Sequence, residues 1–258
     1  MADSVIIKEK KGHIAYITLN RPEAYNTFTT EFGELLNNAL LEYDADNDVR
    51  VVVIKANGKN FSTGIDLHEF NNRDLEAYRG FICLMDKHNH TIAKMAKPVI
   101  SAVQGYCLAN GAGLSFAADM TVAAESAKFG TTAVNVGLIC TGPGIPLLAN
   151  VGRKKAMEMV LLGEMITAQQ ACDLGLVNWV VPDAELEAKT NEIAEKLAAK
   201  SPLAVMAGKR GLAAAADVSY SDSIDYGSEQ FARLCASDDA KEGVKAFVEK
   251  RKPDWKLK

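Results

Sequence analysis

The sequence lacks the features that mark several broad classes of protein. It contains no apolar run of about 18 residues, so nothing in it predicts a membrane-spanning helix. The first residues, MADSVIIKEKKG, hold no apolar stretch of signal-peptide length, which favours a cytoplasmic protein. The motifs GxGxxG and GxxxxGK[ST] are both absent. A nucleotide-binding fold therefore gains no support from the sequence.

Cysteine and net charge are also low. The five cysteines are odd in number and form no CxxC or Cys/His spacing, so we expect free thiols and no metal site. The 29 basic and 33 acidic residues leave a net charge of −4, so nucleic acid is not an expected partner. The 258 residues, 48% of them apolar, are typical of a soluble globular protein that buries one large core.

The most informative stretch runs from Lys97 to Ala124. Its pattern predicts a strand over 99–103, a turn with Gly105 and Gly111, a buried helix over 113–118 and a strand over 120–124. Such a turn exposes backbone N–H groups at the positive end of the helix dipole, where an oxyanion or a phosphate is stabilised. The glycines equally fit a structural role, in which they allow a tight turn and close packing.

Other segments predict the organisation of the chain. A strand over 13–19 precedes a helix that Thr29 or Thr30 caps. Residues 78–96 predict one helix that carries His88 and His90. The last strand is expected at 177–181, and only helices follow. This change predicts a core over residues 1–200 and a helical oligomerisation region over 201–258.

Five segments in the same order resemble the crotonase superfamily, and most closely its enoyl-CoA hydratases and isomerases. They are LNRPEAYN (19–26), KNFSTGIDLHEF (59–70), the stretch 97–138, GRKKAMEMVLLGEMITAQQACDLGLVNWVVP (152–182) and EGVKAFVEKRKPDW (242–255). The resemblance implies an α/β fold, a ClpP-like spiral of ββα units with a C-terminal helical trimerisation region. It also implies a homotrimer or homohexamer that binds acyl-CoA, with no cofactor beyond the coenzyme A of the substrate and with no metal, nucleic acid or membrane partner.

The resemblance implies an oxyanion hole on the thioester carbonyl, made by the backbone N–H groups of Ile65 and Asn110. The family usually has Gly at the position of Asn110, but only its N–H is needed. By motif position, the residues expected to bind the substrate or its CoA are Arg21, Lys59, Ser62, Gly64, Ile65, Asp66, Leu67, Asn110, Gly111, Ala133, Phe247 and Lys250.

Two departures from the family pattern concern the acid and base. Hydratases of the family carry two glutamates, where this chain has Gly113 and Ala133. Neither residue can exchange a proton, so water addition by paired carboxylates is unsupported. Alternative candidates are His90, Glu69 and Cys140. Each also fits a role without catalysis: His90 could be exposed or structural, Glu69 could be solvated, and Cys140 could be a small buried thiol.

Two classes of function follow. The first is a hydratase- or isomerase-like enzyme on a CoA thioester with a non-standard acid or base, or a hydrolase or decarboxylase on the same oxyanion hole. The second is a weakly active or inactive protein that binds acyl-CoA as a carrier or regulator. We expect the enzyme, because the superfamily places catalytic groups at many positions around one oxyanion hole.

Overall fold

The computed structural model describes residues 4–70, 73–215 and 218–257. Nine strands lie within these ranges. They are β1 (Ile6–Lys11), β2 (Ile14–Leu19), β3 (Val51–Ala56), β4 (Val99–Val103), β5 (Tyr106–Leu108), β6 (Met120–Ala124), β7 (Lys128–Gly130), β8 (Met165–Thr167) and β9 (Trp179–Val181).

Ten α-helices accompany these strands in the described ranges. They are α1 (Thr30–Ala45), α2 (Leu75–Met85), α3 (Lys87–Lys94), α4 (Asn110–Ala117), α5 (Thr141–Leu162), α6 (Ala168–Asp173), α7 (Leu186–Ala198), α8 (Pro202–Ala215), α9 (Tyr220–Cys235) and α10 (Asp238–Val248). The side chain of Thr29 accepts a hydrogen bond from Phe32 N–H and caps α1, and Thr167 caps α6 with a capping box. Polar residues immediately before these two helices therefore fix where they begin.

The main sheet has six strands in the order β1-β2-β3-β4-β6-β9. Only β1 pairs antiparallel, with β2; the other pairs are parallel. Every residue of β2 and β4 is buried, as expected for inner strands covered on both faces. Alternate side chains enter two cores. Ile17 packs in the core that contains α1, and Tyr16 in the core that contains Ile193 of α7.

A second, smaller sheet of three strands leads into helix α4. Its order is β5-β7-β8, with β5 and β7 parallel and β7 and β8 antiparallel. The turn predicted around Gly105 and Gly111 is in part wrong, because residues 106–108 pair with β7 as β5. Helix α4 then begins at Asn110, before the predicted start at 113, and seven of its eight residues are buried.

The single helix predicted over 78–96 is wrong. The structure has α2 and α3, which meet at Asp86 with φ −98° and ψ −2°. Apolar spacing continues through this segment, so periodicity does not reveal the break. The buried side chains Phe81, Met85, His88 and Ile92 keep helical spacing across the break, so His88 is buried and His90 is exposed.

Beyond Val181, at the end of β9, the elements given above are helices. The division of the chain at residue 200 stays a prediction. No residue of α9 is buried, although Ile224 and Phe231 lie on it. Within the described residues, no helix combines the length and apolarity that crossing a bilayer requires.

Candidate active site

Two backbone turns meet at the start of α4, and each presents an N–H group. In the first, Phe28 bridges to Ile65: Phe28 N–H donates to Gly64 O at 2.8 Å, and Asp66 N–H donates to Phe28 O at 2.9 Å. This pattern turns the N–H of Ile65 away from Phe28. In the second turn, Asn110 N–H is at the first position of α4, where the helix supplies no acceptor. Neither N–H is bonded to another described residue.

The two turns approach closely because Gly64 has no side chain. A Cβ on Gly64 would lie 2.6 Å from Ala109 Cβ and 3.3 Å from Asn110 N, and its φ of +96° also favours glycine. A Cβ on Gly111 would lie 2.5 Å from Ser62 O. Ala109 takes the positive φ, at 49°, that turns the chain into α4. Asn110 itself is helical, so this position requires no positive φ.

A cavity of about 720 Å³ opens in front of these turns. Both Ile65 and Asn110 line it, as do Thr27, Thr63, Leu67, Phe70, Ile82, Asp86, Ala109, Thr132, Ala133, Val136, Gly137, Leu138, Ile139, Cys140, Thr141, Gly142 and Pro143. Its apolar side chains include Leu67 and Val136, each 60% exposed. An apolar cavity beside two unpaired N–H groups suits a ligand with a carbonyl joined to an apolar group.

Asp86 brings a carboxylate into this cavity, and sequence analysis missed it. Its Oδ1 accepts a hydrogen bond from Asn110 Nδ2 at 2.9 Å. Burial raises the pKa of Asp86, while the bond from Asn110 and the nearby His90 oppose the rise. The polar run DKHNH (86–90) after an apolar helix was the available signal, because it marks a helix boundary. The direction of the Asp86 side chain toward the cavity depends on its contact with Asn110, which lies far away in the sequence.

Cys140 is the second titratable side chain among the lining residues, and it is buried. Burial raises the pKa of its thiol despite a backbone hydrogen bond with Ala133. The thiol therefore stays protonated near neutral pH, which disfavours it as a nucleophile or a base.

Glu69, expected as an acid or base, does not line the cavity. Its Oε2 lies 2.9 Å from Arg73 Nη2 and accepts from the Thr30 hydroxyl at 3.1 Å. The carboxylate is thus part of a polar network beside the cavity. The role of Glu69 as an acid or base stays a prediction.

Arg21 and Asp66 form a second polar network. Arg21 Nη2 lies 3.2 Å from Asp66 Oδ2, and Arg21 also donates to Thr27 O at 2.7 Å. Burial raises the pKa of Asp66, but hydrogen bonds from His68 N–H, Arg21 and Thr27 outweigh it and leave the pKa below its usual value. Asp66 therefore braces the turn that carries Ile65. Arg21 uses Nη1 and Nη2 for these hydrogen bonds within the turn.

His90, predicted as a base in the cavity, is exposed and is not among the lining residues. His88 is 2% exposed and packs edge-on against Phe28 at 5.5 Å between ring centroids. Its Nε2 has no partner within the described residues. Burial lowers the pKa of His88 to about 4, with a weaker opposing effect from a hydrogen bond with Met85.

The buried His88 should make stability depend on pH. The unfolded chain binds the proton below about pH 6.5, and the folded chain only below about pH 4. The free energy of unfolding should therefore fall by about 3 kcal/mol as the pH drops from 6.5 to 4. Urea titrations at several pH values measure this slope. In the His88→Phe variant the slope should flatten over that window, and an unchanged slope would contradict the assignment.

The remaining predicted binding residues take different places. Ser62 is fully buried and its hydroxyl donates to Asn26 O at 2.8 Å, so it supports the turn and does not line the cavity. Lys59 lines a separate cavity of about 610 Å³. Phe247 is 85% exposed at the end of α10, and Lys250 follows it with φ 55°. These two residues are far along the chain from the cavity lining, and their contact with CoA stays a prediction.

The two positions at which the family resemblance implies glutamates, 113 and 133, differ in their surroundings. Ala133 lines the cavity. A Cβ on Gly113 would lie 3.0 Å from both Cα and Cβ of Pro143, on α5. A side chain at 113 therefore has no room unless α5 shifts. Among the described residues, no group of three or more His, Cys, Asp or Glu side chains could hold a metal ion.

The fold combines a six-stranded and a three-stranded sheet, and the site presents two unbonded backbone N–H groups to an apolar cavity. The family model for enoyl-CoA hydratase/isomerase matches residues 9–258. The chain belongs to this family, within the crotonase superfamily, and has the crotonase fold.

Several relatives match nearly the whole chain. A probable mitochondrial enoyl-CoA hydratase of Dictyostelium discoideum is 36% identical, over 96% of this chain and 89% of its own length. The 2,3-dehydroadipyl-CoA hydratase of Escherichia coli is 36% identical, over 98% of this chain and 99% of its own length. The crystal structure of an enoyl-CoA hydratase of Mycobacterium smegmatis superposes with a TM-score of 0.94 and 33% identity, covering 98% of this chain and 99% of the other.

Proposed function

We propose that this protein binds an acyl-CoA thioester with its carbonyl oxygen on the N–H groups of Ile65 and Asn110, and catalyses a reaction through an enolate or related oxyanion. The observation that carries the proposal is the pair of unbonded N–H groups held together by Gly64 at the cavity. Preorganised donors of this kind stabilise the negative charge that develops on oxygen in the transition state. Relatives named as hydratases of CoA thioesters support the same substrate class.

Calorimetry with acetoacetyl-CoA tests the binding. We expect measurable heat with the thioester, and much weaker binding of free acetoacetate and of coenzyme A alone. The reason is that only the thioester places a carbonyl in the hole and an acyl group in the cavity. The absence of heat, and of competition by any acyl-CoA at millimolar concentration, would contradict the proposal.

A second candidate function is binding of acyl-CoA with little or no turnover. It is favoured by Gly113 and Ala133, which cannot exchange protons, and by the positions of Glu69 and His90 outside the cavity lining. A protein that binds acetoacetyl-CoA but turns over no acyl-CoA ester would fit this candidate. Hydrolysis or decarboxylation would fit the same hole with other substrates, and assays of released thiol or of carbon dioxide distinguish them.

A trimer or hexamer assembled through the C-terminal helices is a further part of the proposal. Helix α9 has no buried residue, and Leu212, Phe231 and Val244 are 79%, 67% and 68% exposed. Apolar faces of this extent are typical of subunit contacts. Light scattering at micromolar concentration should give three or six times the mass of the chain. A monomer would contradict the prediction, and Phe231→Glu should shift the assembly toward smaller species.

The cellular location also stays a prediction. The sequence favours the cytoplasm, whereas the relative from Dictyostelium discoideum is described as mitochondrial. Fractionation of cells that express the protein from its own gene would decide between the two compartments.

A further inference from the structure

The carboxylate of Asp86 points toward the cavity and does not cap the helix that follows it. Asp86 occupies the position immediately before α3, where an aspartate side chain normally caps the helix. Here the side chain makes no capping hydrogen bond, and Asn89 N–H donates instead to the backbone oxygen of Asp86 at 3.0 Å. The carboxylate reaches the other way and accepts from Asn110 Nδ2 at 2.9 Å.

This contact links the carboxylate to the oxyanion hole. Asn110 supplies one N–H of the proposed hole from its backbone and holds Asp86 with its side chain, so one residue sets the position of both groups. The carboxylate lies against Gly142 at the start of α5, where a Cβ would come within 2.1 Å of Oδ2 and 2.3 Å of Oδ1. Within the described residues no donor binds Oδ2. Of the residues that line the cavity, Asp86 is the one with a carboxylate.

We propose that Asp86 exchanges a proton with the carbon next to the thioester carbonyl; this inference rests on the proposed function. The carboxylate removes a proton from C2, and the electron pair of the C–H bond forms the C1–C2 double bond. The carbonyl π electrons move to the thioester oxygen, whose negative charge the N–H groups of Ile65 and Asn110 hold. Asp86 then returns the proton to C2, or to C4 when the substrate has a double bond between C3 and C4.

The surroundings of Asp86 suit this exchange. Burial among the cavity residues raises its pKa, which makes it a stronger base than an exposed carboxylate. The titratable groups that interact with it are His90 on α3, which opposes the rise, and Cys140 at the start of α5, a neutral thiol. Helix α4 presents the uncharged amide of Asn110.

Deuterium exchange with 3-butenoyl-CoA in D₂O tests the inference by NMR. The wild type should incorporate deuterium at C2, with or without formation of crotonyl-CoA. The Asp86→Asn variant keeps an acceptor oxygen for Asn110 and should bind acetoacetyl-CoA within a few-fold of wild type. Its exchange should be about 10²–10⁴-fold slower, the usual contribution of a positioned acid or base. Asp74→Asn is the matched control, since Asp74 caps α2 in solvent, and should exchange at the wild-type rate.

The pH profile separates proton transfer from a structural role. Wild-type exchange should rise with pH as Asp86 loses its proton, and this acidic limb should be missing in Asp86→Asn. In Asn110→Ala the limb should move to higher pH, because the bond from Asn110 lowers the pKa of Asp86. This second variant keeps the test decisive if Asp86→Asn does not fold.

The outcomes that would overturn the inference are distinct from failure of the proposed function. A wild type that binds acetoacetyl-CoA but incorporates no deuterium would overturn the role of Asp86 alone. Full exchange in Asp86→Asn, or an acidic limb unmoved in Asn110→Ala, would do the same. A wild type that binds no CoA thioester would instead remove the proposed function.

Discussion

Crotonyl-CoA should be hydrated slowly or not at all by the wild-type protein. Water addition needs a base on the water and an acid for the α-carbon, and a positioned group of either kind typically contributes about 10²–10⁴-fold. The two positions at which the family resemblance implies these groups hold Gly113 and Ala133 here. The loss of both should lower the rate by about 10⁴-fold or more relative to an enzyme that holds them. The disappearance of the enoyl thioester absorbance measures the rate.

A gain-of-function variant sharpens this prediction. Ala133→Glu adds a carboxylate at a position that lines the cavity, so the larger side chain enters open volume. Its hydration rate should exceed that of wild type, and Ala133→Gln, with the same size but no proton to exchange, should not. Gly113→Glu is a poor choice because of the contact with Pro143. Efficient hydration by wild type would contradict the prediction and would make Asp86 the first residue to test.

Gly64→Ala should abolish most of the activity that depends on the oxyanion hole. The new Cβ would clash with Ala109 Cβ and Asn110 N, so the two turns must move apart. At least one N–H group would then no longer point at the thioester oxygen. Removal of one donor from such a hole typically costs about 10²–10³-fold in rate. The exchange of 3-butenoyl-CoA in D₂O gives the rate, and binding of acetoacetyl-CoA should weaken with it.

Gly175→Ala is the matched control for that variant. Gly175 has φ +80°, close to the +96° of Gly64, but a Cβ there would meet nothing within 4 Å. Gly175→Ala should lose about 1–2 kcal/mol of stability for a side chain at positive φ. Gly64→Ala should lose this and, in addition, the cost of the clash with Ala109. Only Gly64→Ala should lose the activity. Equal rates in the two variants would show that close packing of the turns does not matter for the hole.

The sequence was sufficient for the features that depend on local chemistry. The cap at Thr29 and the strand over 99–103 follow from residue types at short spacing. The two turns of the candidate hole were assigned by the resemblance to the crotonase superfamily, and the glycines in them agree with a close approach of backbone to ligand. The positive φ at Ala109 was not foreseen, since alanine carries no signal for it.

The positions of the acid and base candidates could not be predicted, because they depend on contacts between distant segments. Apolar spacing runs through Asp86 without a gap, so the break between α2 and α3 escaped notice. The hydrogen bond that turns Asp86 toward the cavity comes from Asn110, 24 residues away.

A crystal structure with acetoacetyl-CoA bound tests the central claim most directly. The account predicts that the thioester oxygen lies about 2.7–3.1 Å from both Ile65 N and Asn110 N, the distance of a working oxyanion hole. The C2 carbon should then lie within reach of Asp86, with the acyl group in the cavity lined by Leu67 and Val136. A thioester carbonyl that binds elsewhere, with neither N–H bonded to it, would contradict the account.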